Sequence, residues 1–272
     1  DNIRYLREKG YLFAEPQEGY LACGWTGKGR LMEPEDLLAY IEDFFRKKEA
    51  VQDLQGVRLL VTAGTNVEPL DPVRLMTNRA TGKMGYALAE AAVARGARVT
   101  LVTGPSQLKP PAGVEKVLAV ETAVEMHDAV MSHLAEQDVI IGAAAVSDYR
   151  PKERYEQKLK KQEGPLLVEF VRNPDILFEV GQRKRPEQVV VGFAAETEDV
   201  IANARGKLER KKADFFVAND VSRTDAGFGV DTNVVTLVDH QGEEALPLMS
   251  KREVADRILD RVCSVREERS RS

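Results

Sequence analysis

RLLVTAGTNVEPLDPVRLMTNRATGKMG, residues 58–85, is the stretch whose reading decides the fold. Leu59, Leu60, Val61 and Thr62 form a short apolar, β-branched run halted by Ala63-Gly64, the pattern of a buried strand. Thr81 is placed to cap a helix that continues through 86–95. Between them runs a loop with two prolines, Glu68, Asp71, Arg74, Asn78 and Arg79. Connections this long are uncommon in a compact domain unless they bind something, although a solvated crossover is the plainer alternative.

Two familiar phosphate-binding signatures fail here. The dinucleotide fingerprint needs closely spaced glycines between strand and helix, and the chain offers only Gly64 and then Gly82-Lys83-Met84-Gly85. The next strand, 98–102, runs into Thr103-Gly104-Pro105 without an acid for a ribose. A P-loop would need glycine where Thr77 stands and Ser or Thr where Met84 follows Lys83. The helix start at Gly82 can still receive an anion on its backbone amides.

Working outward, 272 residues with 43% hydrophobic content can build a sizeable core in one or two domains. A net charge of −5 and the lack of a basic domain argue against nucleic acid as a partner. No apolar run reaches membrane-spanning length, no signal peptide opens the chain, and two cysteines without a disulfide framework make a cytoplasmic, reducing compartment the expectation. Cys23 and Cys263 make no disulfide framework, and His127, His133 and His240 are scattered. A chain beginning at Asp1 reads as a fragment of something longer.

Residues 1–48 hold two helical patterns, 2–10 and 34–48, around a glycine-rich loop that carries Cys23. They bury too little surface to stand alone. Residues 49–56 read as a polar linker and 266–272 as a charged, frayed tail. From Val57 to Val265 strands alternate with helices: 98–102, 115–120, 138–143, 187–193 and 213–218 are strands, and 123–137 and the segment ending near Lys212 are helices. The fold class is therefore α/β: a three-layer, mostly parallel, Rossmann-like sheet with helices on both faces, plus a β-hairpin around 240–243 and an inserted flap. Ser250, with Glu253 three residues on, caps the last helix.

Strand 138–143 ends in Gly142-Ala143-Ala144 with Asp148 close behind, at the edge where open parallel sheets bind ligands. The run 151–161 is polar and rich in lysine; it is either a solvated face or a flap that closes Lys158, Lys160 and Lys161 over phosphates. Residues 166–171 read as a strand, and Asn173-Pro174-Asp175 opens a helix through Arg183. Lys207 and Lys211 are four apart and share a helix face.

Several of these motifs recur together, in order, in one known family. EPLDPVR and TNRATGKMG in the opening stretch, AAAVSDYR from Ala143, KLKK from Lys158, NPDIL from Asn173, GFAAET from Gly192 and AND from Ala218 resemble the phosphopantothenate–cysteine ligases. Residues 1–48 resemble the end of phosphopantothenoylcysteine decarboxylase, with ACGWTGKGRL similar to its cysteine-bearing lid, although Leu31 stands between Arg30 and Met32. The resemblance implies CTP and Mg²⁺, 4'-phosphopantothenate and L-cysteine as substrates, and a homodimer. It implies FMN in an upstream flavoprotein domain, to which Cys23 belongs. It places Gly142, Ala143, Ala144 and Asp148 on the nucleotide, together with Pro174, Asp175, Ile176, Leu177 and Phe193. Lys207, Lys211 and the flap lysine Lys158 would meet CTP, Asn78 would hold an acyl-cytidylate, and Arg74 would serve phosphate recognition or dimer geometry. A nicotinamide-dependent oxidoreductase and a non-catalytic module of the same fold are the rival readings.

Overall fold

Alternate side chains of strand Arg58–Ala63 part to opposite faces: Leu59, Val61 and Ala63 enter one core cluster and Leu60 the other. This is the computed structural model of the chain, and it describes residues 2–8, 11, 13–14, 17–20, 26–49, 51–161, 163–220, 227 and 229–271. Two units are distinguished, Asp1–Val51 and Gln52–Ser272.

In the first unit, α1 (Asn2–Glu8) precedes the antiparallel pair β1 (Gln17–Tyr20) and β2 (Thr26–Arg30). Then comes α2 (Pro34–Glu49), whose first turn holds Glu35 and Asp36 at the positive end of the helix. Tyr40 ties this helix back by donating to the Phe13 carbonyl at 3.3 Å. Cys23 lies outside the described residues.

The second unit is built on β3 (Arg58–Ala63), β6 (Arg98–Thr103), β7 (Lys116–Ala119), β8 (Val139–Gly142), β11 (Val189–Glu196), β12 (Phe215–Asp220), β14 (Val235–Asp239) and β15 (Glu243–Ala245). They form one eight-stranded sheet in the order β15-β14-β12-β11-β8-β3-β6-β7. From β12 to β7 every pairing is parallel, and the β14–β15 hairpin closes the other edge antiparallel. Helices α3 (Lys83–Ala94) and α7 (Lys251–Arg271) cover one face; α4 (Ala123–His133), α5 (Ile176–Arg183) and α6 (Val200–Lys211) cover the other. Two short antiparallel pairs stand on the loops: β4 (Val67–Pro69) with β5 (Leu75–Thr77), and β9 (Tyr149–Pro151) with β10 (Phe170–Arg172). A last pair joins β13 (Thr232–Asn233) to β16 (Met249–Ser250).

Several local expectations are corrected. Gly82, not Thr81, caps α3: its φ is 85°, in the left-handed region where a side chain is strained, and no side chain caps the helix. The strand expected over 166–171 shrinks to β10, because its partner β9 is only three residues long. The tail is not frayed. Helix α7 continues to Arg271, and Arg269 reaches Asp214 and the Gln188 carbonyl. The polar segment after Val51 is also folded, with Leu54 fully buried and Asp53 paired at 2.5 Å with the buried Arg95, which also holds Asp260 of α7. Burial and the neighbouring Asp53 carboxylate push the Cys263 thiol up to about 11, so it is inert packing at neutral pH. Ser250 and Glu253 make the expected reciprocal cap of α7.

Helix α3 can approach β3 only because Gly85 faces it. A Cβ there would lie 2.5 Å from the Ala63 Cβ and 3.0 Å from its Cα. Gly85→Ala should therefore force helix and strand apart and cost about 1–3 kcal/mol in urea unfolding. Unaltered stability would mean that this contact is not close-packed.

Candidate active site

Parallel strands deliver all their carboxyl ends to one side, and here the chain beyond β3 and β8 stays paired after the strands stop. Thr65 and Ala145 form a parallel bridge, with Ala145 N–H donating to the Gly64 carbonyl at 3.0 Å. Above this seam lies a cavity of about 520 Å³. Its floor is Gly142, Ala143 and Ala144 at the end of β8, with Asp148 exposed at its rim. One wall is Pro174 followed by Asp175, Ile176 and Leu177, where the Asp175 side chain caps α5 by accepting from Phe178 N–H at 3.1 Å. Phe193 comes from β11, and Lys207 and Lys211 come from α6. The four-residue spacing does place both lysines on the cavity side. Lys207 meets Glu196 at 2.5 Å and Lys211 meets Asp175 at 2.9 Å.

Asn78 also lines the cavity. Its side-chain amide donates to the Ala145 carbonyl at 2.8 Å and to Ser147 Oγ at 3.4 Å, while its backbone amide leans on Thr65 Oγ1. The loop after β3 thus delivers a donor to the loop after β8.

Arg74 and Lys158 are not lining residues. Arg74 donates to Asp71 and, at 2.7 Å, to the Leu159 carbonyl, and the Leu159 amide donates back to Asp71 Oδ2 at 3.1 Å. The Arg74–Asp71 pair clips the lysine-rich flap at the residue beside Lys158, whose own side chain is exposed. Burial raises the Asp71 carboxyl, but the amides of Val73, Arg74 and Leu159 and the Arg74 guanidinium outweigh it, holding the group far below the usual carboxylate range.

Sequence reasoning left several polar lining residues unassigned, among them Arg79, Lys83, Asn219, Asn233 and Lys251. Lys83 holds Asp231 at 2.7 Å. Lys251 is buried, and its ammonium donates to the carbonyls of Gly227 at 2.8 Å, Thr232 at 3.1 Å and Val230. Burial, with Lys83 nearby, lowers its pKa. Asn219 is buried with its Oδ1 unpartnered. Its signals were a polar residue at a strand end and its place in the AND motif from Ala218.

The model of the DNA/pantothenate metabolism flavoprotein C-terminal domain family matches residues 54–265. The coenzyme A biosynthesis bifunctional protein CoaBC of Bacillus subtilis is 48% identical over 265 residues, which cover 97% of this chain and 65% of that protein. The protein of the same description from Escherichia coli is 41% identical over 273 residues, covering 99% of this chain and 66% of that one. In both comparisons the chain spans just under two thirds of the relative's own length. Among solved structures, the C-terminal domain of a CoaBC protein superposes with a TM-score of 0.68 at 43% identity, covering 80% of this chain and 99% of that one. A Cab2 mutant in complex with phosphopantothenate-cysteine shares the fold, with a TM-score of 0.65 at 18% identity over 86% of this chain and 96% of that one.

If Asp71 clips the flap, Asp71→Asn should free it. Amide exchange at Leu159, corrected for intrinsic rate, should quicken by about tenfold, with global unfolding nearly unchanged. The depressed carboxyl is ionised in the native state throughout, and its contribution is lost only as pH falls below about 3.9 and through the folded value. Protection of Leu159 should therefore be flat from about pH 5 to 8. A Leu159 amide indifferent to the substitution would place the clip elsewhere.

Proposed function

The chain belongs to the family of the DNA/pantothenate metabolism flavoprotein C-terminal domain, and from that premise we propose that it is a phosphopantothenate–cysteine ligase using CTP. The observation that supports the reading is the cavity itself, where Lys207 and Lys211 of α6 face a floor of small residues and the Asn78 amide. Small residues let a nucleotide approach the backbone, and clustered cations suit a triphosphate.

In the first half-reaction a carboxylate oxygen of 4'-phosphopantothenate attacks the α-phosphorus of CTP. The bond from that phosphorus to the bridging oxygen breaks, and pyrophosphate leaves with the electron pair. Negative charge grows on the leaving oxygens, so preplaced cations lower the barrier. Lys207 and Lys211 are on hand, and Lys158 would arrive as the flap folds over the phosphates. In the second half-reaction the amine of L-cysteine attacks the acyl carbon of the acyl-cytidylate. The amine loses a proton and CMP departs with the carbon–oxygen bonding pair. Charge gathers on the acyl oxygen, where the Asn78 amide can donate in place of its long contact to Ser147.

Asp148 and Asp175 are the carboxylates lining the cavity, and Asp175 is already held by Lys211. So sparse an acidic set fits Mg²⁺ carried in on the nucleotide's phosphates, with Asp148 within the site to hold it, and the ion supplies charge neutralisation there. The FMN-dependent decarboxylation implied by the resemblance concerns Cys23 and the upstream domain, and it uses none of these residues. A nicotinamide oxidoreductase is disfavoured because Gly82-Lys83-Met84-Gly85 is not the dinucleotide turn. Turnover with phosphopantothenate, cysteine and each nucleotide in turn tests the reading, and no pyrophosphate with any of them would end it.

A homodimer of this domain has support from an exposed apolar face. Val73, Leu75, Tyr149, Leu166, Leu167 and Phe170 are all exposed, Leu167 by 87%, on or beside the short hairpins β4–β5 and β9–β10, and β4 packs beside β9. Apolar side chains exposed together on neighbouring short strand pairs suit a contact between subunits. Sedimentation equilibrium should show a dimer that Leu167→Glu weakens; a monomer at every concentration would remove this part.

The two half-reactions separate two residues. Lys158→Gln should lower pyrophosphate release by about 10²–10³, with stability almost unaltered because the flap is exposed. Asn78→Asp should still release pyrophosphate yet slow amide formation, so that quenched samples hold acyl-cytidylate. Normal release by Lys158→Gln returns the flap to a solvated charged loop, and failed activation by Asn78→Asp refutes the second role.

A further inference from the structure

Glu68 is buried, with 2% of its surface exposed, and it is outside the cavity lining. Its Oε1 accepts from Ala123 N–H at 3.0 Å, from Asn173 Nδ2 at 3.1 Å and from Asn66 Nδ2. Ala123 opens α4, so the carboxylate sits at the positive end of that helix, which Thr122 and Glu125 already cap with a reciprocal pair. A buried carboxylate is expensive, and a helix cap alone does not require one. What the two asparagines do next supplies a reason. Asn66 Oδ1 accepts from Ser147 N–H at 2.7 Å, while Asn173 Nδ2 donates to the Ser147 carbonyl at 2.8 Å. Ser147 is thus gripped from both sides by residues that meet at Glu68. The Asn173 backbone N–H donates to the Asp148 carbonyl at 2.8 Å, and Ser147 Oγ accepts from Asn78.

We propose that Glu68 is a positioning residue: through the Asn66 and Asn173 side chains it fixes the backbone at Ser147 against Asn78, and so sets the geometry for acyl transfer to the amine. This rests on the ligase reading above. The nucleotide lysines stand apart from this network, on α6 and with carboxylate partners of their own. Loss of Glu68 should therefore fall on the second half-reaction. Misplacement by as little as an ångström can cost about 10²-fold in rate.

The experiment measures nucleotide Kd, the pyrophosphate burst and kcat for wild type, Glu68→Gln and Thr122→Ala. For Glu68→Gln, kcat should fall by about 10²-fold while Kd and the burst stay within about threefold of wild type, and acyl-cytidylate should accumulate. Thr122→Ala loosens the same helix start without touching the asparagines, so it should lower Tm and leave kcat alone. If Glu68→Gln does not fold, Asn66→Ala cuts the same link from outside the cavity and must give the same split. An active wild type whose kcat survives Glu68→Gln, or falls equally with Thr122→Ala, overturns the inference alone. A wild type that releases no pyrophosphate with any nucleotide overturns the ligase reading and the inference with it.

Discussion

The seam between Thr65 and Ala145 is the constraint on which the site depends. Strands β3 and β8 are paired from Leu59 with Val139 to Thr62 with Gly142, and the bridge carries that register past both strand ends. Loop backbone this close to the core must satisfy its polar groups, and the seam satisfies them between the two loop segments rather than within either. Asn78 and Ser147 meet because each follows a chain fixed at the seam. Without it, the long connection after β3 would be a loop of arbitrary course, and its asparagine would have no defined target.

The sheet was legible because its strands are buried on both faces. Parallel strands covered by helices read as near-continuous apolar runs, as Leu59-Leu60-Val61 and Val189-Val190-Val191 do. Local chemistry failed where a distant partner decides. Thr81 is a sound cap by residue type, yet its carbonyl accepts from Ser106 Oγ and the left-handed turn falls on Gly82. Leu166 and Leu167 look like strand residues and are exposed, because β9 is too short to pair with them. The charged tail holds because Asp214, far away in sequence, accepts from Arg269.

The cavity lining was legible where one local motif carries it: the small residues at the end of β8, the Pro174-Asp175 cap, and two lysines one helical turn apart. Lys251 was not, since it reads as scaffold until folding brings its helix to the cavity; Lys83 and Asn219 lay inside recognised motifs, but no local pattern gave their side chains a place in the lining. Nor did the loop composition reveal what Arg74 does. Its partner is the Leu159 carbonyl, 85 residues on, a backbone atom that no side-chain pattern announces.

The pairing of the cavity's lysines explains how so much positive charge can be stored near one point, where Arg79 also stands. Lys207 rests on Glu196, Lys211 on Asp175 and Lys83 on Asp231, while Lys251 is bound to backbone carbonyls. Each pairing offsets repulsion among the lysines and keeps them ordered. On the ligase reading, a triphosphate would exchange partners with these lysines rather than meet bare charges, and its gain would be the difference between new contacts and old ones. Lys251 has no carboxylate to exchange and is buried, so it stays with the loop it holds. Lys158, exposed on the flap, is in none of these pairs and gives up no partner in meeting an anion. On the ligase reading, the cations with most to gain from a triphosphate would be Lys158 on the flap and the exposed Arg79 of the cavity lining, and a gain at Lys158 would couple phosphate binding to closure of the flap.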